Sequence, residues 1–110
     1  MNEQSSYRVI RLHGELDLAR RDEIAAALQV HGPGAALLVD LSDVQYADST
    51  IIAELLRFRG EAASAGRRFA LLLSAHDRRL RRVLDYAALG DAFALFDDRG
   101  AALTYLSAPA

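Results

Sequence analysis

Three groups of side chains in this sequence could do chemistry. Asp48-Ser49-Thr50 sets two hydroxyls beside a carboxylate, directly before an amphipathic run; His13, Glu15 and Asp17 alternate along an extended segment; Arg78, Arg79, Arg81 and Arg82 crowd one short stretch. The first group lies where a strand hands over to a helix. Free amides and the positive end of the helix dipole gather there, so a phosphate carried on a hydroxyl would be stabilised. Asp, Ser and Thr are also the ordinary helix N-caps, and capping alone is the competing reading. The alternating group could face one way, as metal ligands would. It holds a single His with no second at helical spacing, and a strand edge running into a helix cap explains all three, so no metal site is expected. The arginines could track nucleic-acid phosphates. Asp77 and Asp85 interrupt them and no aromatic is interleaved for base stacking, which predicts a solvated helix face whose better partner is an acidic protein surface.

These groups need elements to position them, and the hydrophobic period supplies the elements by switching repeatedly between strand-like and helix-like. Residues 7–13 read as a short strand with Ile10 and Leu12 on one face. Asp17 can cap a helix over about residues 18–30 with Ile24, Ala27 and Leu28 inward, and Gly32-Pro33-Gly34 breaks it. Residues 35–41 are apolar throughout except Asp40, the pattern of a central strand covered on both faces. A helix over about residues 50–65 follows, with Ile52, Leu55, Leu56, Arg59 and Ala63 along one face and Gly66 at its end. Residues 69–73 form a second buried strand. Ser74 and Asp77 have capping-box spacing ahead of a helix whose inward stripe is Leu80, Val83, Leu84 and Ala87, closed by Gly90. A short strand at 93–96 and a short helix at 99–106 complete the chain. Strands alternating with helices predict one α/β domain spanning residues 1–110 around a largely parallel sheet.

Composition bounds the function. At 110 residues, 52% hydrophobic and 25% charged, the chain suits one globular domain rather than disorder. There is no cysteine, which removes disulfides, thiolate metal sites and cysteine nucleophiles together. Net charge is −2, so nothing global steers the chain to nucleic acid or an anionic membrane. No signal peptide and no bilayer-length apolar run is evident, which predicts a cytoplasmic protein without membrane insertion. His31 and His76 have no evident catalytic partners, and nucleophile elbows, phosphate-binding loops and dinucleotide fingerprints are missing, so neither enzymatic activity nor a cofactor is expected.

Three motifs in order outrun composition. Gly14-Glu15-Leu16-Asp17, the stretch from Val39-Asp40-Leu41 to Asp48-Ser49-Thr50, and Arg82-Val83-Leu84-Asp85-Tyr86-Ala87-Ala88-Leu89-Gly90-Asp91-Ala92-Phe93 together resemble the STAS domain of bacterial anti-sigma factor antagonists. The resemblance covers about residues 7–106. It implies a small mixed sheet of four or five strands with helices packed mainly on one side. It also implies a partner switch in transcription regulation: the unphosphorylated protein binds an anti-sigma factor that is a serine protein kinase, phosphorylation of Ser49 releases it, and a serine phosphatase reverses the mark. Asp17, Asp48, Ser49, Thr50, Ile51 and Glu54 fall on the implied partner-binding surface, and a homodimer stays open. A phosphate would add about −1.5 to −2 charge at Ser49 and act on the interface rather than the fold.

The sequence departs from the family where Ile51 replaces the glycine expected after the two hydroxyls, Ala53 takes the next small position, and Glu54 stands in place of an apolar residue. Ile51 either restricts kinase approach or gives another partner an apolar contact. The latter fits an alternative: a docking subunit of a lipid-transport or stressosome-like assembly without phosphoswitching. The N-terminus is short for the family's additional first strand, which predicts an incomplete sheet edge.

Overall fold

The apolar run at residues 37–41 becomes the middle of the longest strand, and the other elements are arranged around it. The computed structural model describes residues 7–31, 34–87 and 89–108. Its elements are β1 (Tyr7–Leu16), a 3₁₀ turn (Leu18–Arg20), α1 (Arg21–Ala27), β2 (Ala36–Ala47), α2 (Ser49–Ser64), β3 (Phe69–Leu72), α3 (Arg79–Tyr86), β4 (Leu95–Phe96) and α4 (Arg99–Ser107). The four strands lie in the order β1-β2-β3-β4 and all three pairings are parallel. The α/β class and a strand count of four agree with expectation. Pairing among the described residues is parallel throughout rather than mixed. The expected incomplete edge rests on residues 1–6, and the expected break on Gly32 and Pro33; these lie outside the described residues.

Alternation along the strands divides the core in two. Leu37, Val39 and Leu41 of β2 pack with Ile24 of α1, Ile51, Leu55 and Phe58 of α2, and Leu80 and Leu84 of α3. Leu38, Ala70 and Leu72 face the other way, onto Ala102 and Leu106 of α4. Three helices therefore cover one face and one covers the other. Each fully buried large side chain contributes about 1.5–3 kcal/mol, and the larger cluster holds most of them.

The inward stripe of α2 is Ile51, Leu55, Phe58 and Ala62; of the stripe expected from Ile52, Leu55, Leu56, Arg59 and Ala63, only Leu55 is fully buried. The doubled pairs Ile51-Ile52 and Leu55-Leu56 give two stripes about 100° apart with equal helical spacing. Phe58 decides between them. Its ring lies 5.1 Å from that of Phe69 on β3, which in turn sits 6.1 Å from Phe93. The single helix expected over residues 18–30 is instead the 3₁₀ turn followed by α1, although Ile24 and Leu28 are fully buried as read. Ser74 makes no reciprocal capping box. Its Oγ accepts from the His76 amide at 3.1 Å and the Asp77 amide at 3.0 Å, shaping the turn before α3 starts at Arg79.

β1 slips register against β2 between Arg11 and His13 and again between Gly14 and Glu15. Gly14 has φ +77°, a conformation that a side chain would strain. The kink turns two carbonyls toward one guanidinium: Arg20 Nη1 donates to His13 O and Glu15 O, each at 2.8 Å. Arg20 also pairs with Glu23 at 2.7 Å. The strand end that carries Asp17 is thereby clamped to α1.

Candidate functional site

Parallel strands deliver their carboxyl ends to one edge of the sheet, and that edge is where the candidate residues meet. Leu16 of β1 pairs with Ala47 of β2, and the Asp48 amide donates to Leu16 O at 3.3 Å. Asp17 and Asp48, one step beyond each strand, are therefore neighbours. Each caps the element after it. The Asp17 carboxylate accepts from the Ala19 amide at 3.1 Å, and the Asp48 carboxylate accepts from the Thr50 amide at 2.8 Å.

The cap separates the two hydroxyls. The Thr50 amide and then its hydroxyl hold the Asp48 carboxyl below its ordinary value, with the Leu18 amide assisting. Thr50 is thus engaged with the cap. Ser49, on the first turn of α2, is exposed, and its hydroxyl makes no hydrogen bond among the described residues. Helix capping belongs to Asp48 and leaves the Ser49 oxygen open to solvent. Asp48 also takes up one of the amides expected to be free for a phosphate.

Two of the six partner-surface residues turn inward instead. Ile51 is 0% exposed and sits in the core cluster, so it offers a partner no side-chain contact. Its β-branched side chain fills space that a glycine would leave. The Glu54 side chain is 12% exposed and pairs with Arg57 Nε at 3.0 Å. Arg57 Nη1 pairs with Glu61 at 2.8 Å while Nη2 donates to Leu28 O at 2.8 Å. Glu54 thereby helps an arginine tie α2 to the end of α1. The ion pair with Arg57 gives this charged residue a partner within the chain.

Other residues take up the exposed face. Leu18 is 67% exposed, Tyr46 54% and Tyr86 95%, all large apolar surfaces near the strand ends or on α3. Between the first turn of α2 and α3 runs a mainly apolar groove of about 510 Å³, bordered by Ser49, Ile52, Arg82, Val83 and Tyr86. The periodicity places Ile52 in the core; it is half-buried at the groove. The signal for Tyr86 is its position two residues after Leu84, about 200° round the helix from the core stripe.

The alternating group near β1 brings its backbone together rather than its side chains, through the Arg20 clamp. Among the described residues, no group of three His, Asp or Glu side chains is placed to hold a metal ion. In the arginine stretch, Arg79 pairs with Asp77, whose carboxyl falls to about 2, chiefly through the Arg79 side-chain bond. No helix among the described residues is long and apolar enough to cross a membrane.

The fold is shared with solved anti-sigma factor antagonists. One from Mycobacterium paratuberculosis is 22% identical over 97% of this chain and 91% of its own, with a TM-score of 0.76. The antagonist SpoIIAA in its unphosphorylated form is 23% identical over 96% of this chain and 92% of its own, with a TM-score of 0.65. No curated protein matches the sequence. A family model described as "Mlab, STAS domain" matches residues 1–97, which takes in β1 through β4 and the whole Asp17–Asp48 edge. The motifs, the sheet and the family match converge: the chain belongs to the STAS domain family.

Proposed function

We propose that this chain is a non-enzymatic anti-sigma factor antagonist that binds an anti-sigma factor with serine kinase activity and is released by phosphorylation at Ser49. The observation that carries this reading is the free Ser49 hydroxyl, exposed on the first turn of α2 while Asp48 performs the cap and Thr50 is held to it. A phosphate there meets the Asp48 carboxylate at an amide already in use. It therefore projects toward a partner rather than folding into the helix end, and opposes contact by charge and desolvation. Asp17, Asp48, Ser49 and Thr50 form the rim of the docking face, with Leu18, Tyr46 and Tyr86 supplying its apolar surface. A serine phosphatase restores the binding form, and the protein works in the cytoplasm.

The experiment is incubation with candidate anti-sigma kinases and ATP, followed by mass-spectrometric mapping. Phosphate on Ser49, lost in Ser49→Ala, supports the proposal. Failure of both binding and Ser49 modification across the cognate kinases contradicts it.

The family description, "Mlab, STAS domain", keeps a second reading in view, in which the same face docks permanently into a lipid-transport or stressosome-like assembly. Assembly would then survive Ser49→Ala and fail when Tyr86 or Leu18 is made polar.

A further inference from the structure

The arginines of α3 take no part in the phosphoacceptor chemistry, yet Arg82 borders the same groove as Ser49. A smaller hollow of about 270 Å³ continues the groove past Ala47, Arg82 and Val83 to Tyr46. One exposed tyrosine therefore stands in each part, and Arg82 is common to both. Its guanidinium makes no ion pair or side-chain hydrogen bond among the described residues, although it lies close enough to Asp77 to help lower that carboxyl. Two of the nearby carboxylates are held by other partners. Asp77 holds Arg79, and Asp48 holds the start of α2. Asp85 lies against the Gly90 turn, where an added Cβ would come within 2.8 Å of its Oδ1. An apolar trough with exposed aromatics and one arginine whose guanidinium is in no ion pair matches a ligand with an apolar stripe and a carboxylate beside it.

We propose that the groove between α2 and α3 binds an amphipathic acidic helix of a partner protein, whose apolar stripe packs on Ile52, Val83 and Tyr86 and whose carboxylate pairs with Arg82. The inference rests on reading this edge as the partner-binding face, and it adds how the partner is chosen. It also gives Ser49 a second means of release. A phosphate on the groove wall competes with the partner's carboxylate for Arg82, so modification removes the anchor as well as adding repulsion.

The probe is a designed helical peptide of about 16 residues, long enough to hold helix, with a leucine stripe flanked by Glu, and its Gln and Lys counterparts. Titration into isotope-labelled full-length protein, followed by amide chemical shifts, needs no kinase. The Glu peptide should shift the amides of Ala47, Ser49, Ile52, Val83 and Tyr86, and bind about 2- to 5-fold more tightly than the Gln peptide. Arg82→Glu should reverse the preference so that the Lys peptide binds best, and Tyr86→Ser should weaken all three. Ser49→Glu should weaken the Glu peptide and spare the Gln peptide. Equal binding of the Glu, Gln and Lys peptides, shifts confined to another face, or no binding overturns the proposal. So does an oligonucleotide that shifts the groove amides where the Glu peptide does not. A kinase that fails to modify Ser49 while the charge reversal at Arg82 holds would defeat the phosphoswitch alone; modification without charge preference would defeat the groove alone.

Discussion

Asp40 and Asp48 are the same chemical group on the same strand and its exit, and they do opposite work. Asp40 is 4% exposed and faces α4, on the side of β2 that carries Leu38. Its carboxylate accepts from the Ser42 hydroxyl at 2.6 Å and amide at 3.0 Å, from Arg11 at 3.2 Å and from Arg99 at 3.0 Å. One carboxylate thus joins β1, β2 and α4, with its acceptor positions filled by its own chain. Asp48 organises the start of α2, with the Leu18 amide assisting, and leaves a free hydroxyl next door. The number of internal partners, more than residue type, separates what holds this fold from what it presents to others. Ser49 and Ile51 divide the same way within a single helical turn.

That division can be broken most forcefully at Ile51. Ile51→Ala should cost about 2–5 kcal/mol in denaturant unfolding, because the vacated space lies among fully buried side chains. Ile51→Gly should cost about 1 kcal/mol more through helix propensity. A variant as stable as the parent that lost only partner binding would put Ile51 back on the docking side.

Asp40→Asn comes next, with a loss of about 1–3 kcal/mol, since two arginines lose a charged acceptor. Burial pushes the Asp40 carboxyl up, but the Ser42 hydroxyl and amide and then Arg11 outweigh it and hold it below the ordinary carboxyl value. A depressed folded value means that the contribution is present above about pH 4 and is lost as pH falls through the lower folded value. Melting against pH should therefore show a shallower acid limb in Asp40→Asn than in the parent; parallel limbs would remove Asp40 from the account. Asp48→Ala should cost about 0.5–2 kcal/mol as a lost cap, read as faster amide exchange in the first turn of α2.

The sequence made the sheet legible because alternation and uninterrupted apolar runs leave few choices. Residues 37–41 could only be a buried strand, and its neighbours followed from the helices between them. The motifs located the edge at Asp17 and Asp48. Ile51 was misplaced because two equally spaced apolar stripes coexist on α2, and only the Phe58–Phe69 contact across to β3 chooses between them. The Glu54 ion pair was not legible because Arg57 is positioned by reaching Leu28 O, a contact between α2 and the end of α1 that no local pattern encodes. The groove needs both α2 and α3 in place, so Arg82 and Tyr86 acquire meaning only in three dimensions.

The smallest expected effect on the fold is at Ser49, where Ser49→Ala should change stability by less than about 0.5 kcal/mol, as for an exposed position with no internal partner. The central claim is that this residue governs contact and not folding. Calorimetric titration of an anti-sigma kinase with the unmodified protein and with the protein phosphorylated at Ser49 tests it most directly. The account predicts that phosphorylation weakens binding by at least about tenfold, equivalent to about 1.4 kcal/mol, while the melting temperature is unchanged. Equal affinity of the two forms, or a loss of binding that tracks a loss of stability, would contradict it.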